Sequence, residues 1–136
     1  MPDTKIFETT NFSHDVLSQR LRELAFLNPG VKIDFVDERS DKSHEFHYAG
    51  GIVDFIKHLN KSRITLHPDP IHVSGQREEA FVEVALQYND TYSENTFAFA
   101  NSINTTDGGT HLTGFRGALT RCINKIAHVR VYRAQL

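Results

Sequence analysis

Two adjacent glycines, Gly108 and Gly109, come directly before a long helical pattern, and this corner limits how the second half of the chain can fold. Glycine lets the backbone turn sharply and approach other groups closely. The free N–H groups of the helix that follows would suit an anion, and His111 could act as a general acid or base beside it. Two interpretations stay open: a phosphate cradle, and a plain strand-to-helix turn capped by Thr110. Two glycines alone are a weak signal, which favours the turn.

The helix after this corner is indicated by apolar residues at helical spacing. They are Phe115, Ala118, Leu119, Cys122 and Ile126. Since Cys122 lies on this stripe, we expect a buried and unreactive thiol.

The first half alternates helices with a hairpin. Ser13 is suited to cap a helix over residues 14–26. Alternating residues predict strands at 31–38 and 44–48, joined as an antiparallel hairpin, and an amphipathic helix follows from Ile52 to Leu59. The first helix is expected to bury one stripe, formed by Leu17, Leu21 and Leu24.

A second region begins at residues 67–70, where Pro68 and Pro70 exclude a helix and favour an extended connector. After it we expect three strands, which begin at Ile71, Val82 and Phe97 and form an antiparallel meander. Strands and helices in both halves predict the α+β class.

Composition indicates the cellular compartment of the chain more clearly than its activity. The 136 residues carry a net charge of −2 without a block of like charges, so nucleic-acid contact would require a local patch. One cysteine cannot form an intrachain disulfide, and the sequence shows no secretory leader, which favours a cytoplasmic protein. No stretch is apolar over the roughly 18 residues that a bilayer requires.

No complete catalytic or metal site emerges from the pattern. His44 and His47 would point to opposite faces of a strand, and a lone cysteine cannot build a structural zinc site. The carboxylates of Glu83, Asp90 and Glu94 are not paired at a defined spacing. Two amides near a strand end could bind a ligand, but such residues more often cap a turn. They are Asn101 and Asn104.

Several long runs of the chain are distinctive, above all Asp107-Gly108-Gly109-Thr110-His111-Leu112-Thr113-Gly114-Phe115. The others are Leu21 to Asn28 with Gly30, Phe46-His47-Tyr48 with Gly50-Gly51-Ile52, Glu83 to Asp90, Phe99 to Thr105, and Ala118 to Arg121. In this order these runs resemble the B subunits of bacterial DNA gyrase, a family of type IIA topoisomerase subunits, and the resemblance covers about residues 2–124.

The resemblance implies a division of the chain. Residues 1–66 would be the C-terminal part of a GHKL-type ATPase domain. Residues 67–124 would be the first strands and helix of a ribosomal S5 domain 2-like transducer, and residues 125–136 find no match. The family motif would form a structural strand-to-helix corner, in which Gly114 allows close helix packing. Its residues are Gly108, Gly109, Thr110, His111 and Gly114.

The resemblance also implies an activity for the intact parent, which would couple ATP hydrolysis with Mg²⁺ to negative supercoiling of DNA. Its partners would be DNA, the gyrase A subunit and a second copy of the ATPase region, with no membrane. The family's ATP-site residues would lie outside these 136 residues, so we expect no catalytic, cofactor or metal residue here. The chain would be an inactive fragment that relays the nucleotide state. A stand-alone interaction module with an S5-like sheet, or a small phosphate-binding enzyme, are the other hypotheses.

Overall fold

The computed structural model describes the backbone of residues 2–134 and the side chains of residues 2–128. Met1, in the predicted domain 1–66, and residues 135–136, in the predicted tail, lie outside the described residues. The chain divides into two compact units between Tyr92 and Ser93. The elements are α1 (His14–Leu27), β1 (Lys32–Asp37), β2 (Lys42–His47), α2 (Gly51–Leu59), β3 (Ile71–Arg77), β4 (Ala80–Leu86), β5 (Phe99–Ala100), β6 (Ile103–Asn104) and α3 (Thr110–Ala134).

Helix α1 begins and ends where local chemistry predicts. The Ser13 hydroxyl accepts a hydrogen bond from the N–H of Val16, which caps the first turn. The Asn28 side chain donates to the carbonyl of Leu24 at the other end, over 2.8 Å. The predicted apolar stripe is wrong at Leu24, which is 39% exposed, because the helix turns Ala25 and Phe26 into the core instead.

The core of the first unit is aromatic. Phe26 stacks on Tyr48 with ring centroids 3.7 Å apart and lies 5.1 Å from Phe55 of α2. Phe46 is also buried, on β2 of the predicted antiparallel hairpin, where it lies opposite Ile33. The hairpin and the two helices thus share one small core, and Ala25 of α1 is buried as well.

The β3–β4 hairpin belongs to the same unit. Its strands pair antiparallel from Ile71 opposite Leu86 to Arg77 opposite Ala80. Every residue of β3 is exposed, whereas the last residues of β4 are half-buried beside α2. This end of the hairpin is therefore the part that joins the core-bearing region.

The second unit contains a short hairpin and a long helix. The predicted three-stranded meander is wrong, because the described strands form three separate two-stranded sheets. Asn101 and Ser102 adopt positive φ angles of 48° and 64°, which reverses the chain between β5 and β6. Two successive positive φ values are typical of a tight hairpin turn, and this turn interrupts the expected third strand.

Helix α3 confirms the predicted helical pattern after Gly109 but not the predicted burial. Cys122 is exposed, so the expectation of a buried thiol is wrong. Ile123 and Ile126 are 50% and 59% exposed. The described part of the chain supplies too little surface to cover the apolar stripe of this helix.

Candidate functional site

The strand-to-helix corner is built on Thr105, which follows β6. Its N–H and its hydroxyl both donate to the carbonyl of Ala98, at 2.8 and 3.0 Å. Its own carbonyl accepts from the N–H of Gly108 at 2.9 Å, which closes the turn. Thr105 therefore ties the end of the short hairpin to the glycines that start α3.

The two glycines have different roles in this turn. Gly108 has a φ of 80°, which is costly for residues with a side chain. The carbonyl of Gly109 accepts from the N–H of Thr113 at 3.1 Å, so Gly109 holds the N-cap position. Thr110 is the first residue inside the helix. The interpretation of Thr110 as the N-cap is thus wrong by one residue, because the backbone of Gly109 already makes the first helical bond.

His111 holds the corner together through Thr105. Its Nε2 lies 3.2 Å from the Thr105 hydroxyl, whose hydrogen already points to Ala98. Nε2–H must therefore donate to the hydroxyl oxygen. A Cβ at Gly109 would lie 2.7 Å from the His111 ring, so glycine is needed while the ring keeps this position.

Gly114 does not have the expected role. A Cβ built there meets no described atom within 4 Å, so close helix packing at this residue is not what the structure shows. Gly114 lies one turn into α3 on an exposed face. Of the five motif residues, the structure thus joins Gly108, Gly109 and His111 around Thr105.

The carboxylates of Glu83 and Glu94, which were also considered for chemistry, each pair with a different side chain and do not form a joint site. Glu83 lies 2.9 Å from His72 across the β3–β4 hairpin, and Glu94 lies 2.7 Å from Arg116. The Thr96 hydroxyl and the Arg116 guanidinium lower the pKa of Glu94. The described residues contain no group of three His, Cys, Asp or Glu side chains placed to hold a metal ion.

Sequence reasoning missed an ion pair at the β1–β2 turn, between the buried carboxylate of Asp37 and the exposed side chain of Arg39. Arg39 donates from Nε and Nη2 to the two carboxylate oxygens of Asp37, each at 2.9 Å. The same guanidinium reaches Asn11 Oδ1 at 2.6 Å and the Phe12 carbonyl at 2.9 Å. The hydrogen bonds from Arg39 to the Asp37 carboxylate lower the pKa of Asp37 to about 2. The turn sequence showed only a polar connection, because the partners 27 and 28 residues away become neighbours only on folding.

Sequence reasoning also missed a series of hydrogen-bonded side-chain amides beside the proline-containing connector. Asn60 follows α2, while Gln87 and Asn89 follow β4, and they bond in series. A weak signal was available. Pro68 and Pro70 keep the connector out of a helix or sheet, so its backbone carbonyls need hydrogen-bond donors from side chains elsewhere in the chain.

A model of the DNA gyrase B family matches residues 51–134, which is more than half of the chain. The chain belongs to the DNA gyrase B family. The DNA gyrase B subunit of Clostridium acetobutylicum is 55% identical over 127 residues, which cover 93% of this chain and 20% of the relative. The chain thus spans about a fifth of the length of this gyrase B relative. The matched range runs through residue 134 and includes most of the segment 125–136, for which the resemblance of the sequence runs gave no counterpart.

Solved gyrase B structures share this mixed helix and strand architecture. The B subunit of the Myxococcus xanthus gyrase aligns with a TM-score of 0.87 at 31% identity, over 93% of this chain and 36% of that one. The 43K ATPase domain of Thermus thermophilus gyrase B, solved in complex with an aminocoumarin, aligns with a TM-score of 0.79 at 36% identity. That match covers 95% of this chain and 35% of the other. In the described residues of this gyrase B family member, no helix combines the length and apolar character needed to cross a membrane.

Proposed function

We propose that this chain is a part of a type IIA topoisomerase subunit that couples ATP hydrolysis to negative supercoiling of DNA. The observation that carries the proposal is the 55% identity to a gyrase B protein over 127 residues. The intact protein would use ATP and Mg²⁺ in the cytoplasm. It would act with the gyrase A subunit on DNA and would dimerise through its ATPase region.

We assign two roles along the chain within this proposal. Residues 1–66 are the end of the GHKL-type ATPase domain, and residues 67–124 are the start of the S5-like transducer. In support, the chain aligns with about a third of a gyrase B ATPase-domain chain, 35% of its length. Within the motif, Gly108, Gly109, Thr110 and His111 act structurally, since the observed contacts of His111 and Gly109 serve the turn.

This part of the intact protein would transmit the nucleotide state and would not perform the chemistry. Its polar groups at the corner are engaged with one another, as Thr105 is with Ala98 and His111.

A chimera tests the supercoiling proposal. Residues 2–128 of this chain replace the matching segment of the Clostridium acetobutylicum B subunit, which is combined with the A subunit of the same gyrase and with ATP on relaxed plasmid. We expect supercoiling within about tenfold of the unaltered enzyme, which is the control. A chimera that folds and hydrolyses ATP as the control does, yet fails to supercoil, contradicts the proposal.

The isolated chain offers a second test. We expect no binding of a fluorescent ATP analogue at micromolar concentrations, with the unaltered Clostridium acetobutylicum B subunit as the positive control. Tight one-to-one binding to the 136-residue chain would show that it holds a nucleotide site of its own, and would overturn the assignment of a relay role.

The β3–β4 hairpin favours a second candidate, an interaction module. Its side chains include Val73, Phe81 and Val82, which are 60%, 65% and 58% exposed. Apolar surface of this kind marks an interaction site or the missing remainder of a domain. Sedimentation of the chain distinguishes the two: a soluble, well-folded monomer supports a stand-alone module, whereas concentration-dependent aggregation supports a part of a larger domain.

A further inference from the structure

Hydrogen bonds join helix α2 to the β3–β4 hairpin. The connector between them, residues 61–70, runs beside the end of β4. Leu66 donates to the Tyr88 carbonyl at 2.9 Å, and Asp90 donates to the Ile64 carbonyl at 3.0 Å. These two bonds form a short antiparallel bridge on which the side chains build.

The side chains add a continuous series of amide hydrogen bonds, which we call the amide chain: Asn60, Gln87 and Asn89. Asn89 Nδ2 donates to Asn60 Oδ1 at 2.9 Å, and Asn60 Nδ2 donates to Gln87 Oε1 at 3.0 Å. Gln87 Nε2 donates onward to the carbonyls of His67 and Pro68, at 2.9 and 3.3 Å. Three side chains thereby link the end of α2, the connector and the end of β4.

The direction of the amide chain is set at both ends by backbone groups. The His67 and Pro68 carbonyls can only accept, so Gln87 must present its nitrogen to them and its oxygen to Asn60. At the far end the N–H of Thr91 can only donate, so Asn89 must present its oxygen there, at 3.1 Å. Rotating any amide by 180° would place like atoms together at two contacts.

A histidine and an arginine extend the same junction. Tyr88 N–H donates to His67 Nε2 at 3.0 Å, so His67 Nδ1–H donates to the Asp69 carbonyl at 2.7 Å. Arg63 donates to the Thr91 hydroxyl at 3.0 Å, and that hydroxyl donates to Asn89 at 2.6 Å. Since hydrogen bonds in series polarise one another, such a chain is lost more cooperatively than isolated bonds.

We propose that the amide chain couples helix α2 to the β3–β4 hairpin, so that the end of the helix and the end of the hairpin open and close as one element. The coupling itself does not depend on the proposed function. If that function is correct, the amide chain is the place where displacement of α2 reaches the hairpin.

Amide hydrogen exchange on the full 136-residue chain tests the coupling, with Asn60→Asp as the variant. This substitution replaces the donor to Gln87 by a carboxylate oxygen. We expect exchange at the N–H groups of Leu66, Tyr88 and Asp90 to accelerate about tenfold, as for loss of a part-buried hydrogen bond. Asn28→Asp is the matched control, because the Asn28 side chain makes one hydrogen bond to Leu24 at the end of α1, away from the amide chain. It should change exchange at those three groups by less than about twofold.

A reciprocal variant changes the hairpin end of the amide chain and measures the effect at the end of α2. Gln87→Glu removes the donor to the connector carbonyls and should accelerate exchange at the N–H groups of Asn60 and Lys61, at the end of α2. Gln76→Glu is its control, since Gln76 lies on exposed β3 and donates only locally, to the Glu78 carbonyl at 3.3 Å.

Three results would overturn the proposal. The first is an Asn60→Asp effect confined to the last turn of α2, and the second is a control variant with the same effect as its test variant. The third is loss of protection throughout the first unit, α1 included, in either test variant. That result would mean that the amide chain supports the core as a whole and does not link two elements.

Discussion

The two compact units bury very different amounts of apolar surface. The first, up to Tyr92, contains the buried side chains Ala25, Phe26, Phe46 and Phe55. In the second, from Ser93, no described apolar side chain is buried, and Ile126 on its helix is 59% exposed. Burial of apolar surface is the main favourable contribution to folding. Predicted helices and strands thus form in both units, while among the described side chains a buried apolar core is present in the first unit alone.

The largest expected effect is that of Phe26→Ala, which tests the difference between the two units. Phe26 is 1% exposed and packs between Tyr48 and Phe55, so its loss should reduce the free energy of unfolding of the first unit by about 3–5 kcal/mol. Urea unfolding followed by NMR measures the change. Phe97→Ala, at a residue 41% exposed in the second unit, should cost roughly 1 kcal/mol or less. Equal effects of both substitutions would remove the distinction between the units.

Gly108→Ala tests the corner that starts α3. An alanine held at a φ of 80° should cost about 1–2 kcal/mol, and the native turn should lose population accordingly. Cα chemical shifts of residues 110–113 report the loss. Gly114→Ala is the matched control. It should stabilise helix α3 by about 0.5–1 kcal/mol, because a Cβ there meets no described atom within 4 Å. A destabilising Gly114→Ala would show that this residue does pack closely in solution.

Truncation after Tyr92 asks whether the first unit is independent. We expect the shortened chain to keep the amide spectrum of residues 11–60 and to lose roughly 1 kcal/mol or less, because its buried side chains all lie before the cut. A shortened chain that unfolds would show that the first unit requires the second.

The smallest expected effect is the acid response of the first unit. The pKa of Asp37 is lowered from its usual 3.8 to about 2 by the hydrogen bonds from Arg39. The unfolded state therefore binds the proton first on acidification, and the stabilisation, complete above pH 3.8, decreases towards pH 2. A carbon-13 NMR titration of Asp37 measures this, and Arg39→Met should return the pKa towards 3.8. Arg20→Met, which removes the partner of Glu23, should leave Asp37 unchanged.

Local elements were accessible from the sequence because their causes are local. Ser13 caps α1, the alternation before and after residue 40 forms the β1–β2 hairpin, and two glycines precede α3. The meander failed because the pattern of apolar residues from Phe97 to Ile103 does not show that Asn101 and Ser102 adopt positive φ. The periodicity of apolar residues gives no signal for such a turn.

The sequence was enough to locate the candidate site and its family, but not the hydrogen bonds that build it. The motif at residues 107–115 was enough to indicate the gyrase B family, which the comparisons confirm. The hydrogen bond from His111 to Thr105, and the N-cap at Gly109 in place of Thr110, follow from how the turn closes in space. The division into domains 1–66 and 67–124 remains a proposal.

The sequence by itself determined the family, the positions of the helices and the two main hairpins, because these depend on residue identity and short-range spacing. Only the tertiary structure decided that Arg39 reaches Asn11, that Asn60 meets Gln87, and that Cys122 is exposed. The physical reason is that a hydrogen bond between residues 27 apart, such as Asn60 to Gln87, requires the chain to have folded back first. Burial likewise depends on which surfaces the folded chain brings together.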